Sequence, residues 1–296
     1  MAEIIDGKKV AAELRGEIQK EVMSLKEKTG MVPGLAVVIV GEDPASQVYV
    51  RMKGKGCEEV GMASFQHTLD AAITENELLE LVETLNGKKE VNGILVQLPL
   101  PKHINEEKIL NTIDPGKDVD GFHPVNVGKM VVGDESCFYP CTPYGCQILI
   151  NRYMKDLKGK HLVIVGRSNI VGKPLANMMV QKNERANCVV TICHTAAPDI
   201  GYFTKQGDVL VVAAGRPGVV TADMVKPGAV VIDVGVNRIQ HPDDPAKTKL
   251  VGDVDFDGVS KVASAITPVP GGVGPMTITM LLQNTVKAFK IQNGLM

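Results

Sequence analysis

His161-Leu162-Val163-Ile164-Val165-Gly166-Arg167-Ser168-Asn169-Ile170-Val171-Gly172-Lys173-Pro174 decides the fold. An apolar run ends in glycine, a short polar turn follows, and a second glycine opens a helical pattern. A buried parallel strand, a tight turn and a helix produce this order. Gly166 lets the backbone turn, and the free N–H groups of the following helix start face whatever occupies the turn. The pattern is G-x-S-x-x-x-G rather than G-x-G-x-x-G. Alone it is a weak signal that a simple tight connection also satisfies. The surrounding elements favour a dinucleotide-type βα unit. The patterning predicts helix 143–154, strand 161–165, helix 172–183, and strands 188–193, 208–213 and 229–234.

A turn specific for NAD is followed, after the second strand, by Asp or Glu for the ribose 2′-hydroxyl. Here that strand ends in Cys193-His194-Thr195, with no acid, and Arg167 lies in the first turn. A guanidinium with a hydroxyl suits a 2′-phosphate, so NADP is the expected cofactor. His194 reads as a structural residue.

Upstream, Val10, Leu14, Ile18, Val22 and Leu25 recur at helical spacing over 8–29, and Gly30 and Pro33 stop the helix. Residues 34–40, GLAVVIV, read as a central parallel strand. Asp43-Pro44 then opens helix 45–61. Strand 64–69, helix 74–87, strand 91–98 and helix 105–113 complete a β-α-β-α-β order. Residues 115–142 read as a long loop or linker, and Pro268 to Pro275 as a rigid turn. The final helix, 275–292, places Met276, Met280, Leu281, Val286 and Phe289 on one buried face. The expected fold is therefore two α/β domains. Residues 1–142 form an N-terminal parallel-sheet domain, completed by a C-terminal helix (275–296) packing back on it. Residues 143–274 form a Rossmann-like domain, with a cleft between the two.

The 296 residues carry 32 basic and 34 acidic side chains, a balance that offers no basic field for nucleic acid. No apolar run approaches the roughly 20 residues of a membrane span, and the charged amphipathic N-terminus is not a signal peptide. Six cysteines (57, 137, 141, 146, 188 and 193) form no C-x-x-C pair and have no companions at zinc spacing. They read as buried, reduced thiols of a cytoplasmic protein, and no metal is expected.

Ser46-Gln47-Val48-Tyr49-Val50-Arg51-Met52-Lys53 gives S-x-x-Y-x-x-x-K. Positions 46, 49 and 53 share one helical face, beginning at the C-terminal end of strand 34–40, where open α/β sheets bind ligands. Short-chain dehydrogenases use Y-x-x-x-K after their nucleotide turn; here the order is reversed. On spacing alone Lys53 is a solvated helix lysine and Tyr49 a core-edge residue. Two segments shift that weight. Gln97 is a polar side chain at the end of an apolar strand and needs partners. Lys117-Asp118-Val119-Asp120-Gly121-Phe122 puts a carboxylate in the linker between the domains, suited to an amidine-like ring edge. For Asp118 ordinary turn chemistry is the simpler reading.

S-x-x-Y-x-x-x-K, GILVQLPLP, KDVDGF, PCTPYG, VGRSNIVGKP, VIDVGVN, GDVDF and ITPVPGGVGPMT occur in this order and span nearly the whole chain. The ordered set resembles the methylenetetrahydrofolate dehydrogenase/methenyltetrahydrofolate cyclohydrolase family in its two-domain form. The resemblance implies these roles. Tyr49 stacks on the folate's aminobenzoyl region. Lys53 is the acid/base group of the cyclohydrolase step, and Gln97 hydrogen-bonds and orients it. Asp120 grips the pterin, and Ser46 belongs to the same substrate site. Pro270, Gly271 and Gly272 lie beside the folate. Gly166, Arg167, Ser168, Thr195, Val236 and Thr277 line the NADP site. Many relatives carry Ser-Lys-Thr where this chain has Thr195-Ala196-Ala197, which keeps a hydroxyl and loses a positive charge. The family also implies a homodimer.

The chemistry fits that division. Removing hydride from 5,10-methylenetetrahydrofolate leaves a methenyl cation stabilised by two nitrogens, so no general base is needed; orientation suffices. Hydrolysis to 10-formyltetrahydrofolate does need proton transfers, which a lysine of lowered pKa can perform. A monofunctional dehydrogenase would not need Lys53 and Gln97. A catalytically silent folate- or nucleotide-binding module, and an NADP enzyme acting on another small molecule, are the other readings.

Overall fold

The computed structural model describes residues 1–241 and 244–296. Its strands are β1 (Glu3–Ile4), β2 (Gly34–Val40), β3 (Ala63–Leu69), β4 (Gly93–Val96), β5 (His161–Val165), β6 (Val189–Cys193), β7 (Val209–Val212), β8 (Val230–Asp233), β9 (Asn237–His241), β10 (Asp244–Val251) and β11 (Ala265–Ile266). Its helices are α1 (Gly7–Thr29), α2 (Pro44–Val60), α3 (Glu75–Gly87), α4 (Glu106–Thr112), α5 (Pro124–Val132), α6 (Cys141–Tyr153), α7 (Gly172–Met179), α8 (Ile200–Thr204), α9 (Phe256–Val259) and α10 (Val273–Gln292). They group into two compact units. One comprises Met1–Ala11 and Thr142–Thr277, the other Ala12–Cys141 and Ile278–Met296.

In the Ala12–Cys141 unit, β2 is the centre of a parallel sheet of order β3-β2-β4. All seven of its residues are buried. The valines and isoleucine fit a pleat covered on both faces, and each such side chain contributes roughly 1.5–3 kcal/mol. Helix α2 starts where the Asp43 carboxylate accepts the Ser46 amide at 2.7 Å, and it stops at Gly61 with φ 77°. A reciprocal Thr74–Glu77 capping box starts α3. Leu78, Val82 and Leu85 of that helix then pack with Val38, Ile94, Val96 and Ile109. The C-terminal helix α10 completes this unit as expected. Asn284 donates to the carbonyls of Val119 (2.8 Å) and Tyr139 (2.9 Å), Arg15 of α1 donates to Thr279 (3.2 Å), and Lys290 pairs with Glu21 of α1 (2.9 Å).

The other unit has a parallel sheet of order β1-β11-β8-β7-β5-β6. Strand β5 lies between β6 and β7, so the chain runs to one side of it and then to the other. The end of β5 is therefore the topological switch point of a Rossmann-like sheet. Gly166 follows it directly.

Several boundaries differ from expectation. Strand 91–98 is only Gly93–Val96, which leaves Gln97 just past the ladder. Helix 172–183 ends at Met179. The segment 115–142 is not a linker: it carries α5 and a bridge between Ile94 and Asp118 that extends the sheet past β4. Helix α5 escapes a sequence reading because its cap is a histidine, whose Nδ1 accepts the Val125 amide at 3.1 Å, and because Gly128 interrupts its pattern. The antiparallel pair β9–β10 is also additional; its described residues are mostly polar and exposed or half-buried, without a buried alternating face.

Candidate active site

Lys53 does not follow its spacing. It is only 8 % exposed, whereas a lone helix lysine is normally solvated. Its Nζ donates to Gln97 Oε1 at 2.8 Å, and Gln97 Nε2 donates to the Leu98 carbonyl at 2.7 Å. The second bond fixes which end of the carboxamide faces the lysine. Burial lowers the Lys53 pKa below the ordinary lysine value, opposed by the negative charge of Asp120 and by Cys141. Burial raises the Asp120 carboxyl, opposed by Lys53 and by a hydrogen bond from Cys141. Both groups are thus drawn toward their neutral forms. Cys141 Sγ lies 3.4 Å from the Val119 carbonyl, its single S–H is shared between that oxygen and Asp120, and burial with the nearby Asp120 charge holds the thiol protonated. Ser46 is buried one turn before Tyr49, whose ring is 42 % exposed and so offers a face to a ligand.

The segment that delivers Asp120 is held by Asp118. This buried carboxylate accepts the amides of Phe122 (3.3 Å) and His123 (2.8 Å) and the side chain of Asn126 (2.9 Å). Its turn role is the one the sequence suggests. Gly121, at φ 77°, then reverses the chain.

At the switch point, Gly166 has φ 129°, and a Cβ there would run into the Ala213 carbonyl. A Cβ on Gly172 would run into the carbonyl of Gly166. Ser168 Oγ accepts the Val171 amide at 3.1 Å, ordering the entry to α7. The result is a side-chain-free cradle at the N-terminus of an eight-residue helix, which fits a pyrophosphate. Arg167 lies in this turn and is exposed; Thr195, after β6, and Val236, after β8, are exposed as well. His194 keeps to turn chemistry, its Nδ1 accepting the Ala196 amide at 3.3 Å. Thr277 bonds Thr142 at 3.0 Å. Gly271, at φ 112°, accepts the Lys8 amide at 3.1 Å; Gly272 is buried beside it and Pro270 is exposed.

The structure therefore brings Lys53, Gln97 and Asp120 together in one unit. Gly166, Arg167, Ser168, Thr195, Val236, Thr277 and Pro270 to Gly272 lie in the other. The sequence reading did not single out Cys141, although it sits in PCTPYG, nor the buried Asp233 and Asp253 of VIDVGVN and GDVDF. All six cysteines are free and buried.

Comparison with known proteins places two family models on the chain. Tetrahydrofolate dehydrogenase/cyclohydrolase, catalytic domain, matches residues 5–120, and the NAD(P)-binding domain of the same family matches 140–293. The bifunctional protein FolD of Chlorobium limicola is 57% identical over 293 residues, covering 99% of each chain. Among solved structures, the bifunctional FolD methylenetetrahydrofolate dehydrogenase/cyclohydrolase of Campylobacter jejuni superposes with TM-score 0.92 at 49% identity, covering 98% of this chain and 99% of its own. The Trypanosoma brucei enzyme, solved with NADP cofactor and inhibitor, gives TM-score 0.92 at 39% identity over 98% of both chains.

Proposed function

The chain belongs to the tetrahydrofolate dehydrogenase/cyclohydrolase family, and on that premise we propose which of its residues carry the two reactions. The enzyme oxidises 5,10-methylenetetrahydrofolate to 5,10-methenyltetrahydrofolate with NADP and hydrolyses that product to 10-formyltetrahydrofolate. The unit built on β2 is the folate-binding, catalytic part, and the unit built on β5 holds NADP.

The observation that carries the assignment is the buried Lys53 amine, hydrogen-bonded to an oriented carboxamide and lying in the field of Asp120. Burial favours the neutral amine over the ammonium. Lys53 accepts a proton from the water that attacks the methenyl carbon, and returns one to N5 as the C–N5 bond breaks. Gln97 holds the amine in place. Asp120 accepts hydrogen bonds from the pterin's amidine-like edge, and Tyr49 stacks on the aminobenzoyl ring, with Ser46 in the same site.

NADP, when bound, supplies the hydride acceptor. Gly166 and the α7 N-terminus hold its pyrophosphate. Arg167 and Thr195 take the 2′-phosphate, and Ser168, Val236 and Thr277 line the rest. The oxidation step leaves a cation with no proton to lose, so these residues bind and orient only.

The protein works as a cytoplasmic homodimer. Six free, buried thiols suit a reducing compartment. The edge strand β6, with Val189 and Ile192 exposed, offers a surface for a second copy. Among the described residues, no helix is long and apolar enough to cross a membrane.

A paired assay with NADP and NAD, following methenyl and formyl products, tests the reading. Lys53→Met is expected to abolish hydrolysis of methenyltetrahydrofolate while NADPH formation remains measurable. Equal loss of both activities in a folded protein overturns the assignment of Lys53 to hydrolysis alone.

A further inference from the structure

Two buried aspartates beside the nucleotide turn take part in no step above. Asp253 Oδ2 accepts the backbone amides of Ala214 at 2.7 Å and Gly215 at 2.8 Å, and its Oδ1 accepts Nδ2 of Asn237 at 2.8 Å. Asp233 Oδ1 accepts the amides of Gly235 at 3.0 Å and Asp253 at 2.9 Å, and its Oδ2 accepts that of Val254 at 3.0 Å. Thr267 Oγ1 accepts the Asp233 amide at 2.7 Å, which ties the pair to the end of β11. Asp253 is 0 % exposed and Asp233 is 3 %. Glycines make the room: a Cβ on Gly235 would meet the Asp253 carboxylate, and one on Gly252 would meet that of Asp233.

The bonds are directed at two segments that leave the C-terminal ends of β7 and β8. The first, Ala213–Gly215, packs its Ala213 carbonyl directly over Gly166. The second, Gly235–Asn237, carries the exposed Val236. We propose that Asp253 is a positioning residue for NADP, its carboxylate holding the Ala213–Gly215 segment against the glycine turn and the Gly235–Asn237 segment in register beside it. This rests on reading the Gly166–Gly172 turn as the NADP site. Three donors on one carboxylate are charge-assisted bonds, stronger than neutral ones; two lock the backbone of Ala214 and Gly215, and the third holds the Asn237 side chain at the start of β9. An asparagine cannot replace it. Both of its ends face donors, so either rotamer sets an NH2 group against an N–H and leaves a buried donor unsatisfied.

The test is Asp253→Asn in the full chain, with NADP binding measured by calorimetry, dehydrogenase KM and kcat, and hydrolysis of supplied methenyltetrahydrofolate without NADP. The expected result is about a tenfold or larger rise in the NADP Kd and KM. Cofactor-free hydrolysis stays within about twofold, because Lys53, Gln97 and Asp120 lie in the other unit. Asn237→Ala removes a single bond to the same carboxylate. It is expected to move the Kd in the same direction by a smaller factor, and it decides the matter if Asp253→Asn does not fold. A lowered melting temperature with unchanged NADP Kd in a folded variant overturns the proposal and leaves Asp253 as a fold staple. Failure of the wild-type protein to bind NADP overturns the cofactor reading itself, a result distinct from any change in the variants.

Discussion

Lys53 Nζ lies 2.8 Å from Gln97 Oε1, and the Gln97 amide nitrogen is spent on the Leu98 carbonyl. The lysine therefore meets an uncharged acceptor of fixed orientation, one that holds the amine without fixing its charge. Gln97→Glu turns that acceptor into a carboxylate, which favours the ammonium and removes the base. Cyclohydrolase kcat is expected to fall about 100-fold or more. Dehydrogenase kcat, which needs no base, is expected to fall less than about tenfold. Steady-state assays of the two steps on separate substrates check this. Parallel losses, or an unchanged cyclohydrolase, would reject the role assigned to the neutral amide.

Asp120 acts on the same amine against burial. Its charge raises the Lys53 pKa against the larger lowering by burial. Asp120→Asn removes that support, so the lysine pKa drops further. The cyclohydrolase rate requires the neutral amine, so it rises with pH through that pKa. In the variant the rising limb of kcat against pH is expected to move toward lower pH, whatever happens to the plateau height. A limb that stays in place or moves to higher pH would show that Asp120 does not set the charge of Lys53.

The relation between these three residues is also where sequence reading reaches its limit. Strands β2 and β5 are legible because continuous apolar runs are bounded by glycine, and the Gly166–Gly172 turn because its glycines are local needs. The resemblance supplies Lys53, Gln97 and Asp120 as names. Their physical state is not local: the partners of the buried Lys53, Gln97 and Asp120, arrive from 44 and 67 positions away. Asp253 is hidden for the same reason, since its partners are Ala214, Gly215 and Asn237. Within GDVDF it looks like any turn aspartate.

Asp118 offers a test that reads stability instead of rate. Burial pushes its carboxyl up to about 7, against the lowering effect of bonds from Asn126, His123 and Phe122. An unfolded aspartate titrates near about 4. Between those values the folded protein holds a proton that the unfolded chain has released, so stability falls as pH rises across that window. Asp233, raised to about 6, contributes a slope of the same sign, and it is present in wild type and variant alike. The difference between wild type and Asp118→Asn therefore cancels the Asp233 slope and reports Asp118 together with its coupling to Asp120. Urea unfolding midpoints are expected to show the wild type's advantage shrinking from about pH 5 to about pH 8. A constant gap would mean that Asp118 stays ionised across the range, its three donors outweighing the cost of burial. A gap that instead grows with pH only below about pH 5, and is flat above it, would mean that those bonds hold its carboxyl below the unfolded value.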